Sequence, residues 1–306
     1  MNYLDALEKK ADFLVYVQVE RNLTANTCKS YASDLHQFFS FWEKINTESE
    51  QGITIKTALE RFLISMFHKK TQKSSMARKI SCFTSFERFL KACGISIELR
   101  LTRPSIEKKL PTYLTTDEIF YLLDTVQDAD LGSLRPIRDK AIFETFYATG
   151  IRCSELTQIK IEDINFNEKT ILITGKGRKQ RYVLFGEKAK HKILQYIHDE
   201  RIFNDKGDTT LFLNHSGAGL TSRSIQKIFT MFSKHLTVRK HLSPHKIRHS
   251  FATHLLNAGL DLRALQELLG HESLSSTEKY THVTTKDLQT MYDTLHPINS
   301  MMATLK

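Results

Sequence analysis

The chain has 306 residues, about two domains at roughly 150 residues each, and this excludes a disulfide-stapled miniprotein. Hydrophobic residues make up 41% and charged residues 25%, with only 12 glycines and 5 prolines, which excludes collagen-like, disordered and turn-dense all-β classes. The net charge of +10 points to an anionic partner, either nucleic acid or a membrane surface. The opening MNYLDALEKK carries charges where a signal peptide needs its apolar run, and nowhere do 18 apolar residues follow one another. The reading is therefore a cytoplasmic protein without a membrane partner.

Residues 1 to 103 read as helical throughout. Apolar spacing recurs in LDALEKKADFLVYVQ, in TANTCKSYASDLHQFFSFW and in MARKISCFTSFERFLKACG, where Gly94 supplies a stop. The charge is segregated: residues 56 to 109 hold 13 Lys/Arg against 4 Asp/Glu, whereas residues 1 to 55 hold 5 against 8. Solvated helix faces are the bland explanation of any one cluster, but segregation on this scale favours a phosphate-facing surface. Lys73, Arg78 and Lys79 are the candidate DNA contacts in this part. The cysteines, Cys28, Cys82, Cys93 and Cys153, form no C-x-x-C pair and are expected to be reduced, buried thiols with no metal.

Two prolines with Lys108 and Lys109 between them mark residues 104 to 111 as an exposed linker, after which Thr115 or Thr116 with Glu118 opens a helix in capping-box style. The second domain, 112 to 306, is mostly helical. Its period changes at KTILITGKGRKQRYVLF, which reads as a β-hairpin turning at Gly175 to Lys179. Ser243 is placed as an N-cap with Pro244 at the first helical position; Gly259 closes that helix, and Asp261 caps the next one, which ends at Gly270.

Three segments carry candidate chemistry. In ATGIRCSEL, residues 148 to 156, Gly150 breaks a helix and sets Arg152 at the start of the next, with Glu155 three residues on. In SPHKIRHSFATHLL, residues 243 to 256, His245 and Arg248 share one helical face, and an arginine fork beside an imidazole suits phosphate oxygens. In LLGHESLSSTEKYTHV, residues 268 to 283, His271 follows a glycine stop and Tyr280 lies nine residues further on. Taken singly, each has an ordinary reading: a surface arginine, a satisfied histidine, a core tyrosine.

In combination, ATGIRCSEL, TGKGRKQR, HKIRHSFATHLL and LGHESLSSTEKYTH stand in the order and spacing of the tyrosine recombinases, and the chain resembles that phage-integrase and Xer family, most closely its compact Xer-type members. The resemblance covers 112 to 306; more loosely, LTANTCKSYASDLHQFFSFW resembles the opening of the family's DNA core-binding domain. It implies a mainly α fold in which the helical N-terminal core-binding domain and the catalytic domain form a C-shaped DNA clamp. It also implies a DNA-breaking and rejoining enzyme without metal or other cofactor. Tyr280 would be the nucleophile that forms a 3′-phosphotyrosyl link, Arg152 and Arg248 the phosphate clamp, and Lys176 the general acid. His245 and His271 would bond the scissile phosphate, and Glu155 would support the clamp. Lys179, three residues from Lys176, is the alternative hairpin lysine, and Arg178, Lys179 and Arg181 are expected on backbone phosphates.

A phenol of pKa about 10 needs just such a cationic field to act near neutral pH. The implied substrate is double-stranded DNA with an inverted-repeat site, bound by a homotetramer or by a heterotetramer with a related recombinase, in the nucleoid. A helix at about 286–296, with Leu288, Met291, Tyr292 and Leu295 on one stripe, would dock into a neighbouring protomer; packing on its own domain is the ordinary reading. Resolution of chromosome dimers at a dif-like site, with a DNA translocase as candidate activator, is the role the resemblance favours. The alternatives are a mobile-element integrase or resolvase, a type IB topoisomerase-like enzyme, and a non-catalytic DNA-binding regulator. A metal nuclease would need a carboxylate cluster that the sequence does not present.

Overall fold

A computed structural model of the chain describes residues 1–21, 23–47, 49, 52–99, 101–105, 113–175, 179–201, 209–236, 242–269 and 285–297, with only the backbone of 285–288. The chain divides into two compact units, Met1–Leu110 and Pro111–Lys306.

The first unit consists of α1 (Tyr3–Val19), α2 (Ala25–Thr47), α3 (Ile55–His68) and α4 (Lys73–Ala92). Side-chain oxygens start two of these helices: Asn2 accepts from the Asp5 amide at 2.9 Å, and Thr54 caps α3. The core is unusually aromatic, with Phe13, Phe38, Phe39, Trp42, Phe62, Phe83, Phe86 and Phe89 in one cluster. Phe38 meets Phe83 edge-on with ring centroids 5.3 Å apart, and Trp42 Nε1 donates to the Ile53 carbonyl at 3.1 Å, so its one polar atom is satisfied. All four cysteines are free thiols as expected, but only Cys82 is buried; Cys93 is exposed just beyond α4.

Between α2 and α4 lies a buried ion cluster that sequence reading assigned otherwise. Asp34 has no exposure; Lys79 Nζ donates to its Oδ1 at 2.8 Å and to Gln37 Oε1 at 2.8 Å, while Arg78 pairs with Oδ2 and bonds the Ser30 carbonyl. The Lys79 side chain is 7% exposed. Its expected DNA contact is therefore replaced by a structural one: the charge points inward because Asp34, a helix away, neutralises it. Arg78 stays partly exposed but is engaged by the same carboxylate, and Lys73, in the first turn of α4, is exposed.

The second unit contains α5 (Thr116–Phe120), α6 (Pro136–Thr149), α7 (Cys153–Leu156), β1 (Ile164–Asn165), β2 (Thr170–Thr174), β3 (Gln180–Leu184), α8 (Glu187–Asp199), α9 (Ser222–Phe232), α10 (Pro244–Asn257), α11 (Leu262–Leu269) and α12 (Thr285–Leu295). The capping box before α5 forms as read: Thr115 and Glu118 exchange hydrogen bonds of 2.9 and 3.2 Å. The hairpin acquires a third strand and makes an antiparallel sheet of order β1-β2-β3, with Ile171 opposite Val183 and Ile173 opposite Arg181.

Helix α6 is the axis of this unit. From Asp139 to Thr149 every residue is buried, and α8 and α10 pack against it. A helix buried all round can hide a polar group only at a cost, and Glu144 is that case: neither carboxylate oxygen has a hydrogen-bond partner among the described residues, and burial pushes the carboxyl up to about 7. Helix α12 packs on its own unit. The Tyr292 hydroxyl donates to the Ala148 carbonyl at 2.9 Å, and His296, fully buried, lies against Tyr292, Tyr147 and Phe251. Tyr292 is buried and Leu295 packs against the core, but Met291, read as part of the same stripe, faces outward.

Candidate active site

The site is built around the end of α6. Gly150 takes a left-handed φ of 60°, and a side chain there would run into the Phe251 ring and touch Leu269, so glycine is needed both for the backbone turn and for the approach of α10. The turn delivers Arg152 to the N-cap of α7. From α10, Arg248 reaches back: Nη1 donates to the Gly150 carbonyl and Nη2 to the Leu269 carbonyl at 2.9 Å. Burial, and then the nearby Arg152 cation, push the Arg248 pKa down to about 10, still charged at neutral pH. Two arginines that repel each other are thus held at one corner, an arrangement that an anion would relieve.

Beneath them lies Glu155, 4% exposed. Its Oε2 accepts from the Arg152 amide at 2.8 Å and from Arg181 Nη2 at 2.9 Å; its Oε1 accepts from Arg152 Nη1 at 2.9 Å and Arg181 Nη1 at 3.0 Å. Burial alone would raise this carboxyl, but the hydrogen bonds from Arg181 and Arg152 outweigh it and hold it at about 2. Arg181, expected on backbone phosphates, is turned onto this carboxylate instead of standing out in solvent. Both its terminal nitrogens grip Glu155 and its side chain is 17% exposed, because the β2–β3 register turns it inward.

His245 stands exposed one turn before Arg248 on α10. At the hairpin, the Gly175 amide donates to the Lys179 carbonyl at 2.8 Å, and Lys179 is exposed. Lys176, Arg178, His271 and Tyr280 lie outside the described residues. The structure thus brings Arg152, Glu155, Arg181 and Arg248 together, with His245 on the same helix as Arg248. Sequence reasoning missed the Arg181–Glu155 pair, for which a carboxylate 26 residues from the hairpin arginine gives no periodic signal. Among the described residues no group of His, Cys, Asp or Glu could hold a metal ion, and no helix is long and apolar enough to cross a membrane.

Fixed guanidiniums with one buried, neutralised carboxylate make a receptor for a phosphate monoanion and stabilise the charge that gathers on its oxygens during transfer. The comparisons agree. The phage integrase family pattern matches residues 112–287, and that family's N-terminal SAM-like domain matches residues 11–94. The tyrosine recombinase XerC of Syntrophus aciditrophicus (strain SB) is 37% identical over 310 residues, covering 96% of this chain and 98% of that relative. The XerC of Anoxybacillus flavithermus (strain DSM 21510 / WK1) is 40% identical over 292 residues, covering 93% and 96%. In fold, the chain is similar to the XerH site-specific recombinase bound to its difH substrate in a pre-cleavage complex, with a TM-score of 0.65, 21% identity, and coverage of 97% of this chain and 84% of that one. The chain belongs to the phage integrase family. Within it, the chain is a tyrosine site-specific DNA recombinase.

Proposed function

We propose that the chain cuts and rejoins double-stranded DNA at an inverted-repeat site, with Tyr280 as nucleophile. The phenolic oxygen attacks the scissile phosphorus as its proton passes to one of the site histidines, a 3′-phosphotyrosyl bond forms, and the 5′-oxygen leaves with a proton supplied by Lys176. Arg152 and Arg248 hold the phosphate, and His245 and His271 hydrogen-bond it. The phosphotyrosyl bond conserves the energy of the phosphodiester, so a second strand's 5′-hydroxyl reverses the step and produces a Holliday junction without ATP. The observation that carries this reading is the meeting of Arg152 and Arg248 at the Gly150 corner, two buried or half-buried cations, where burial and then their mutual repulsion lower the Arg248 pKa.

The basic first unit supplies part of the DNA contact, with Lys73 in its exposed set, and residues 112 to 306 carry the chemistry. In an assembled tetramer α12 leaves its own unit for the same socket on a neighbour, and a heterotetramer with a related recombinase fits the same exchange. XerC relatives and the XerH–difH complex support a dif-like chromosomal site. The test is a nicked suicide duplex carrying a site that the protein selects from random sequence. Wild type is expected to give a covalent adduct on a denaturing gel without metal or ATP, and Tyr280→Phe none. Tight binding with no adduct from wild type would make the chain a DNA-binding regulator.

A further inference from the structure

Glu155 is saturated. A carboxylate offers about four lone-pair positions, and two guanidiniums and one amide fill them at 2.8 to 3.0 Å. The cluster holds two positive charges against one negative, so it carries a net cation. That cation is on Arg152, whose side chain is 39% exposed against 17% for Arg181. Nε and Nη2 of Arg152 make no hydrogen bond among the described residues, whereas both terminal nitrogens of Arg181 are taken and its Nε is buried without a partner. Arg181 accepts that orphaned donor, a cost a lysine would avoid. What it gains is a two-pronged grip on a carboxylate from the middle of a strand.

We propose that Arg181 is a positioning residue: by neutralising Glu155 it leaves the charge and the outward donors of Arg152 for the scissile phosphate. The inference rests on the strand-breaking reading above. Without Arg181 the carboxylate holds a single arginine. Arg152 then sits in a one-to-one ion pair and turns inward to fill the vacated lone pairs, so the phosphate meets a quenched clamp. Gly175, where the hairpin turn starts, lies over this cluster: a Cβ there would stand 3.5 Å from Arg181 Nη1 and 3.7 Å from Glu155 Oε1. The same two bonds thereby fix the strand leading to the turn against the clamp.

Wild type, Arg181→Gln, Arg181→Lys, Glu155→Gln and the double variant Glu155→Gln/Arg181→Gln are compared on the nicked suicide duplex, measuring DNA affinity and the single-turnover rate of adduct formation at saturating protein. Arg181→Gln should bind DNA within about twofold of wild type and form adduct about 10- to 100-fold more slowly, the worth of a charged hydrogen bond. With the carboxylate already neutral, removing Arg181 should matter little, so the double variant should match Glu155→Gln and exceed Arg181→Gln. Arg181→Lys should fall between wild type and Arg181→Gln. A loss of affinity equal to the loss of rate would make Arg181 a DNA contact and overturn the inference, as would a double variant slower than Glu155→Gln. The second comparison decides even if Arg181→Gln alone fails to fold. Absence of adduct from wild type, or its persistence in Tyr280→Phe, would sink the strand-breaking reading instead.

Discussion

Each unit of the molecule buries a carboxylate under two cations, one of them turned inward and the other left partly in solvent. In the first, Asp34 is closed off by Lys79, itself 7% exposed, while Arg78 keeps 45% of its side chain in solvent. In the second, Glu155 is closed off by Arg181, but its other partner, Arg152, keeps 39% of its side chain in solvent with donors to spare. The chemical inventory is nearly the same. In the first, the buried lysine ties two helices together; in the second, both terminal nitrogens of the inward arginine are spent on the acid, and Arg152 keeps its outward donors at the Gly150 corner. Basic residues in a sequence are thus ambiguous until the buried acid they answer to is known.

The comparison can be broken most forcefully at its acids. Asp34→Ala leaves Lys79 buried without a counter-charge and should destabilise the protein by about 3–5 kcal/mol, read as a lowered denaturant midpoint of the first unit. Glu155→Gln keeps two acceptor directions and leaves its arginines nearer to water, so its cost should be about 1–3 kcal/mol. Equal losses in the two variants would erase the distinction. Gly150→Ala combines a left-handed backbone with a collision against Phe251 and should cost about 2–4 kcal/mol, with loss of adduct formation because the Gly150 carbonyl holds Arg248.

The pH dependence sharpens the contrast within the second unit. Glu155, held at about 2 against an ordinary 4.5, contributes stability that is complete above pH 4.5 and is lost as pH falls toward 2. Glu144 has the opposite sign: its carboxyl is raised to about 7, so folding is penalised progressively as pH rises from 4.5 to 7, by about 3 kcal/mol at the plateau. Glu144→Gln should therefore stabilise at pH 8, leave stability at pH 4 nearly unchanged, and flatten the slope between. A slope that survives the substitution would place the titration elsewhere. The smallest effect is expected at Lys73→Ala: stability within about 0.5 kcal/mol and a salt dependence of DNA binding shallower by about one unit of slope. Truncation after Thr285 should impair strand exchange more than DNA binding, since on the proposed exchange it removes the helix that docks on a neighbour; normal exchange by the truncated chain would defeat that proposal.

Much of this was legible in the sequence because it is local. Thr115 with Glu118, Ser243 with Pro244, the hairpin flanking Gly175, and the stop at Gly150 followed by Arg152 all rest on spacings of a few residues, and each formed where its chemistry required. Arg248 could be read as a phosphate ligand from its helix. Its bonds to the Gly150 and Leu269 carbonyls could not, because they join distant segments. Lys79 and Arg181 were assigned to DNA for the same reason. Asp34 and Glu155 lie 45 and 26 residues away from them and have no periodic relation to them, and only the packing of α2 on α4 and the register of β2 on β3 bring each pair together. The orphaned Glu144 lies in a helix whose sequence has no clean polar face, and only its burial on every side reveals what the acid costs.

The grip of Arg248 on two carbonyls has a consequence for the newly made chain. One carbonyl comes from the corner before Arg152, the other from the end of α11, just before the segment that carries His271 and Tyr280. The guanidinium takes its place only after α6, α10 and α11 have come home, since its partners do not exist as neighbours in any fragment. An incompletely folded copy therefore has scattered cations and lacks the joint placement of Arg152 and Arg248 on which the proposed chemistry depends.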